Sequence, residues 1–192
     1  MPIDIRPGFP ADAAAITRVR RESWLAAYAG IIDRALIDRA TATGGSAASP
    51  PPYRRTLVAV GGDDPAVIGY AAFGPERTVV SAVLPPVTPS GGHPVPAPGD
   101  PLTPAGRAGD TGELYALYVT PAWWSAGAGR ALMGSALTAL RGRPYARAVL
   151  WVLAENTRAR RFYERAGFAP DGATNVLAGL GGVLEVRYAR DL

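Results

Sequence analysis

The run AVLWVL, Ala148–Leu153, carries six apolar side chains in succession with no polar break. A strand points successive side chains to opposite faces, so a run without alternation needs both faces of its sheet covered. The apolar period changes on either side of it. Before it, Leu132, Ala136, Leu137 and Leu140 fall on one helical face, which Gly142 and Pro144 bring to an end. After it, Asn156 caps a helix whose inner face is Ala159, Phe162, Tyr163 and Ala166 and which Gly167 stops. A fully covered strand between two amphipathic helices makes this an α/β chain.

The other segments extend that pattern. Ile3 and Ile5 alternate with polar neighbours in a short first strand. From Pro10 to about Tyr28 the positions Ala14, Ile16, Val19, Trp24, Leu25 and Tyr28 suit an amphipathic helix with Asp12 in its first turn, and a second short helix covers Asp33 to Ala40. TATGGSAASPPP is loop by composition. Strands are expected near Arg55–Val60 and Val67–Phe73, joined by GGDDP, and a central strand over Glu113–Thr120. The last two strands lie near Phe168–Pro170 and Val183–Ala189. The length of 192 residues fits one domain, 1–192. The Pro/Gly-rich stretch Gly74–Thr111, centred on about 75–111, reads as an insertion, either a lid over an acceptor site or a disordered surface loop.

Absences narrow the chemistry. The chain has no cysteine, which removes disulfides, thiolate zinc sites and a covalent thioester on a cysteine nucleophile. All twenty basic side chains are arginine, so there is no Schiff-base lysine and no Walker lysine. The one histidine, His93, sits in SGGHPVP, where a flexible proline-rich stretch holds a general base badly; it reads as a solvated loop residue. No metal site is expected. The net charge of +4 is spread over short arginine clusters at 18–21, 54–55 and 158–161 with no aromatic interleaving, which argues for solvated helix faces over nucleic-acid binding. No apolar run reaches the length of a membrane span and Met1–Arg6 alternates like a strand, so cytoplasmic residence is the expectation.

WWSAGAGRAL, residues 123–132, places two indoles and a path of small residues, Ser125 to Gly129, ahead of a helix. Helix N-termini offer unpaired N–H groups and partial positive charge, and small residues let an anion approach them. A dinucleotide fingerprint is excluded, because the sixth position is Leu132 and the strand ends too early, at Thr120.

PAWWSAGAGRAL, followed after one helix and strand by WVLAENTRARRFYERAGF, resembles the GCN5-related N-acetyltransferase family. That family's cofactor motif is Gln/Arg-x-x-Gly-x-Gly/Ala; Gly127 and Gly129 supply the glycines, while the first position is Trp124. The motif works mainly through backbone amides, so this departure leaves it usable. The likeness extends to SWLAAYAGII in the first helix and to GFAPDGA and GGVLEVRY at the end, leaving only the insertion outside.

The resemblance implies a mixed, largely antiparallel central sheet flanked by helices, of the acyl-CoA N-acyltransferase type. It implies acetyl-CoA as cosubstrate and direct acetyl transfer to an amine, on a small molecule or a protein N-terminus, with no covalent enzyme intermediate. The pyrophosphate then sits on Ser125, Ala126, Gly127, Ala128, Gly129 and Arg130, beside Trp124. The Arg130 side chain, and Arg158 or Arg160 at the nucleotide end, either add contacts or stay solvated. Main-chain N–H groups of Leu117, Tyr118 and Val119 polarise the carbonyl where the central strand splays from its neighbour and pantetheine enters like an extra strand. Glu113 matches the general base, acting directly or through water, with ordered water alone as the alternative. Tyr163, in the pattern N-x6-Y, matches the general acid; Asn156 both caps its helix and hydrogen-bonds the pantetheine arm. Trp123 and Trp124 support the turn. Trp24 and Tyr28 either pack in the core or line the acceptor pocket. A catalytically silent acetyl-CoA-binding sensor or assembly module is the rival reading, since it needs the turn but neither Glu113 nor Tyr163. A homodimer is compatible with the family and not derivable from the residues.

Overall fold

A computed structural model describes residues 2–42, 53–61, 66–77 and 110–192. His93 and the interior of the insertion, residues 78–109, lie outside the described residues. In chain order, β1 (Ile3–Pro7) leads through a 3₁₀ turn (Pro10–Asp12) into α1 (Ala13–Ala27) and α2 (Arg34–Ala42). Then follow β2 (Arg55–Gly61), β3 (Ala66–Pro75), β4 (Thr111–Val119), α3 (Ala128–Arg141), β5 (Arg147–Leu153), α4 (Thr157–Arg165), β6 (Ala169–Leu177) and β7 (Val183–Asp191).

The strands form one sheet in the order β1-β2-β3-β4-β5-β7-β6. Only the β4–β5 pairing is parallel; the other five are antiparallel, giving the mixed, largely antiparallel sheet expected. Both faces of β5 are covered, as its apolar run requires. Ala148, Leu150 and Val152 join a core built with Leu132, Met133, Ala136, Leu137 and Leu140 of α3 and Tyr163 of α4. On the other face Leu153 joins Ile32 and Ile37 beneath α1 and α2, with Trp24, Leu25 and Tyr28 packed around them. Trp151 is half-buried and takes the guanidinium of Arg187 at 5.8 Å from its ring centre. Burying an average aliphatic side chain contributes about 1.5–3 kcal/mol, so this two-sided core supplies much of the drive for folding.

Several boundaries move, each for a local reason. The last helical pair ends in a longer β6 than Phe168–Pro170 suggested, because the register slips between Pro170 and Thr174 and pairing with β7 resumes through Leu177. The insertion begins later than Gly74. Gly74 and Pro75 still belong to β3, opposite Glu113 and Gly112, and Thr111 opens β4. Proline is tolerated there because it stands at a strand end. The clusters at 18–21 and 158–161 lie on α1 and α4, where Arg18 reaches Glu22 at 3.2 Å and Arg21 reaches Asp38 at 3.0 Å, whereas Arg54 and Arg55 stand at the start of β2. No helix is long and apolar enough to cross a membrane among the described residues.

Candidate active site

The site begins where two strands part. β4 and β5 pair only from Thr111↔Arg147 to Leu114↔Leu150, although β4 runs to Val119 and β5 to Leu153. The cause lies on the other edge of β4, where Ala72 pairs Ala116 and Phe73 pairs Leu114, leaving Tyr115 as an extra residue. A bulge of this kind bends its strand. The Tyr115 hydroxyl holds the bend by donating to the Pro75 carbonyl. Beyond it, a gap opens between the second half of β4 and the end of β5.

Main-chain groups alternate along β4. Thr120 N–H donates to Ile68 O of β3 at 2.8 Å, and the Tyr118 carbonyl lies against Gly69 of the same strand. By alternation the peptide groups of Leu117 and Val119 face the gap, whereas that of Tyr118 faces β3. Of the three residues expected to present main-chain N–H groups, Leu117 and Val119 turn theirs to the gap, whereas Tyr118 turns its own to β3. The Val119 carbonyl is closed off, accepting from Ser23 Oγ at 2.9 Å and from Trp124 Nε1 at 2.7 Å.

That indole bond fixes the start of the glycine turn. Ser125 (φ 64°) and Gly127 (φ 99°) both take left-handed backbone, a conformation uncommon for a side chain larger than glycine. Between them the Ala126 N–H donates to the Trp123 carbonyl at 3.4 Å. The first bond of α3 runs from Ala131 N–H to Gly127 O at 3.0 Å, so the amides of Ala128, Gly129 and Arg130 have no acceptor within the helix. Nothing lies within 4 Å of where a Gly127 Cβ would stand. Gly129 faces the Phe162 ring, which an added Cβ would meet at 3.5 Å, so the turn lies beside α4. Arg158 lies flat on Trp124, its guanidinium carbon 3.4 Å from the ring centre, which holds a cation beside the turn. Arg130 is exposed on α3. Arg160 is turned inward: its Nε donates to the Tyr188 hydroxyl at 2.9 Å and its Nη1 to the Ala154 carbonyl at 3.0 Å, so it does not serve the nucleotide end. Trp123 packs near Gly61 and joins the main core.

Tyr163 comes to the gap from α4. It is 9% exposed and packs edge-on to Phe162 and Phe168. Its hydroxyl has no hydrogen-bond partner among the described residues. Burial, with the nearby Tyr118, pushes its pKa well above the ordinary phenol value, so it stays protonated through the neutral range. Asn156 accepts from Ala159 N–H at 3.1 Å through Oδ1, which confirms the cap and leaves its amide nitrogen for another partner.

Glu113 differs from expectation. It was read as a partly buried base at a strand end; it is fully buried, and both carboxylate oxygens are taken by Arg77. Arg77 donates its backbone N–H to Oε2 at 2.8 Å and its Nε to Oε1 at 3.0 Å, and Nη2 adds a further bond. The reason is topological: the chain leaving β3 crosses the start of β4 and closes over the carboxylate.

The family model described as "Acetyltransferase (GNAT) family" matches residues 22–168. The chain belongs to the GNAT acetyltransferase family. Within GNAT proteins of known structure, the fold is similar to the PaiA N-acetyltransferase of Thermoplasma acidophilum in complex with coenzyme A (19% identity, 97% of this chain and 98% of that one, TM-score 0.66). It is also similar to a GCN5-related N-acetyltransferase from Kribbella flavida (22% identity, 99% and 98% covered, TM-score 0.63). In sequence, 60 residues are 50% identical to the mycothiol acetyltransferase of Beutenbergia cavernae; the match spans 31% of this chain but only 20% of that protein.

Two polar residues near the gap are not among the sequence-based candidates. Arg77 lay inside a stretch taken for loop. Glu185 stands in GGVLEVRY between Val183 and Arg187, and a charged residue sharing a strand face with Val183 was the available signal. Among the described residues no three metal-ligating side chains come together.

Proposed function

We propose that this acetyltransferase moves the acetyl group of acetyl-CoA directly to an amine, with no covalent enzyme intermediate, as a single domain over 1–192. The observation that carries the reading is the convergence of the acceptor-free amides of Ala128–Arg130, the gap-facing amides of Leu117 and Val119, and the Tyr163 hydroxyl on one opening between β4 and β5. Those amides and the open space at Gly127 fit a diphosphate, and the unpaired edge of β4 fits an extended amide arm. Bound acetyl-CoA supplies an activated thioester. The protein's own contribution is to hold it, with the amides of Ser125 and Gly127–Arg130 on the phosphates, Arg158 beside them, and the Asn156 amide on the arm; the Ala126 amide is engaged by the Trp123 carbonyl. Leu117 and Val119 N–H donate to an oxygen placed in the gap, which stabilises charge developing there. Tyr163 gives its proton to the departing sulfur.

A sensor has no use for an acid. A tyrosine nine-tenths buried whose hydroxyl has no protein partner among the described residues favours transfer over sensing. The acceptor class is an amine on a small molecule or a protein N-terminus; the place of action is the cytoplasm, and no nucleic acid takes part. Thiol release from acetyl-CoA across a panel of amines and N-terminal peptides tests this. Amine-dependent release is expected, and coenzyme binding without release over the whole panel would favour the sensor.

Arg158→Ala is expected to raise the KM for acetyl-CoA about fivefold to tenfold with kcat little changed, because a stacked cation at the phosphate end contributes about 1 kcal/mol of binding common to ground and transition states. Initial rates at varied acetyl-CoA check it.

A further inference from the structure

Transfer to an amine leaves a proton to be removed from the acceptor, and Glu113 is occupied by Arg77. A second carboxylate stands at the same opening. Glu185 on β7 pairs Leu153 of β5 and Asn175 of β6 in register, so it lies at the end of β5 that β4 has left. Its face of the strand is that of Val183, which packs with Trp24 and Tyr28 beneath α1 and α2. The alternate residues Val186 and Tyr188 face α3 and α4.

Three aromatic residues complete this side. The Tyr28 and Tyr118 hydroxyls lie 3.4 Å apart, and the Trp24 ring stands 5.2 Å from Tyr28 and 6.4 Å from Tyr118. The Trp24 indole N–H is buried with no well-formed hydrogen bond and adjoins the Tyr118 hydroxyl. Tyr28 is held neutral chiefly by burial and Tyr118, with Tyr163 and Glu185 adding to this electrostatically. Aromatic faces with a carboxylate suit a cationic amine and give a neutral acceptor little to pair with.

We infer that Glu185 takes the proton of the acceptor's ammonium group, directly or through the Tyr28 and Tyr118 hydroxyls, in a pocket that selects cationic primary amines. The inference rests on the N-acetyltransferase reading above. The protons balance: the ammonium gives one proton to Glu185, the freed amine forms the C–N bond as the C–S bond breaks and Tyr163 protonates the sulfur, and the second proton lost from the nitrogen restores Tyr163 while Glu185 releases its own to solvent. The product amide carries no charge, so it leaves the pocket it entered as a cation.

The surroundings suit a base. Burial raises the Glu185 pKa above the ordinary carboxylate value and Glu113 adds to this, while the bond from Asn175 and the charge of Arg77 pull it down. Tyr28 and Tyr118 stay neutral phenols, pushed up chiefly by burial. Arg187, two residues on, is engaged by Asp171 and Glu76.

The test compares wild type, Glu185→Gln and Glu185→Asp with acetyl-CoA and two probe amines. Ethylamine is protonated at pH 7 and needs a base; 2,2,2-trifluoroethylamine is largely neutral and does not. Glu185→Gln is expected to cut kcat/KM for ethylamine at least tenfold, a modest fraction of what a general base contributes. It is expected to change the rate with trifluoroethylamine by less than about threefold and to abolish an acid limb that wild type shows above the ordinary carboxylate range. Glu185→Asp restores part of the ethylamine rate, and calorimetric coenzyme A affinity stays unchanged in both. Equal losses with both amines, or an unchanged pH profile, would overturn the base role while leaving N-acetyl transfer intact. Absence of turnover by wild type with these amines and with the wider panel above would overturn both.

Discussion

Tyr163→Phe lowers kcat by about 100-fold to 1,000-fold, the span that loss of a positioned proton donor produces, while coenzyme A affinity stays within about twofold. The substitution isolates one atom. The Tyr163 ring packs against Phe162 and Phe168 and Phe keeps that packing, with ring centroids at 5.3 and 6.3 Å. The hydroxyl bonds to no protein group among the described residues, so its removal breaks no internal hydrogen bond and leaves no buried partner unsatisfied. Stability is expected to stay within about 0.5 kcal/mol of wild type, as for changes that touch no named mechanism of destabilisation. A large fall in turnover on an unchanged fold is then attributable to the missing proton. The base acts on the amine and the acid on the thiol, so the loss should be similar for ethylamine and trifluoroethylamine, unlike that of Glu185→Gln. An unchanged kcat would remove Tyr163 from the chemistry and return the sensor reading.

The architecture was legible because it rests on periodicity. The apolar run of β5, the helical spacing of Leu132, Ala136, Leu137 and Leu140, and the capping Asn156 are local signals, and each appears in the structure as read. The place of the glycine turn was legible too, since small residues from Ser125 to Gly129 mark the start of α3, but its left-handed Ser125 and Gly127 were not. The details of the reacting groups were not. Glu113 was identified by its place on a strand, but its partner Arg77 arrives from 36 residues away in sequence and no local pattern announces it. Tyr118 was taken for a main-chain donor because a bulge at Tyr115 cannot be read from ELYALYVT, and that bulge decides which amides face the gap. Arg160 and Arg158 are two residues apart on one helix and look interchangeable; only the fold shows one on Trp124 and the other on Tyr188. Faces are encoded locally, whereas partners across the sheet are not.

Gly127→Val is expected to weaken coenzyme A binding by at least about 100-fold, a loss of about 2.8 kcal/mol, on a protein that still folds. Two effects separate at this position. Its φ of 99° strains a β-branched residue, at a cost of about 1 to 3 kcal/mol to the native state. That lowers Tm by several degrees in a domain of this size without unfolding it at room temperature. The Cβ itself meets nothing within 4 Å, so the core does not object. The side chain instead enters the space in front of the Ala128–Arg130 amides, where the diphosphate is proposed to sit. Gly127→Asn tells strain from obstruction, because asparagine tolerates left-handed backbone better than any β-branched residue. It should melt close to wild type and still lose most of its affinity by titration calorimetry. If Gly127→Asn bound coenzyme A as tightly as wild type, the phosphates would have to lie elsewhere, and Leu117, Val119 and Tyr163 would be facing an opening that the coenzyme does not enter.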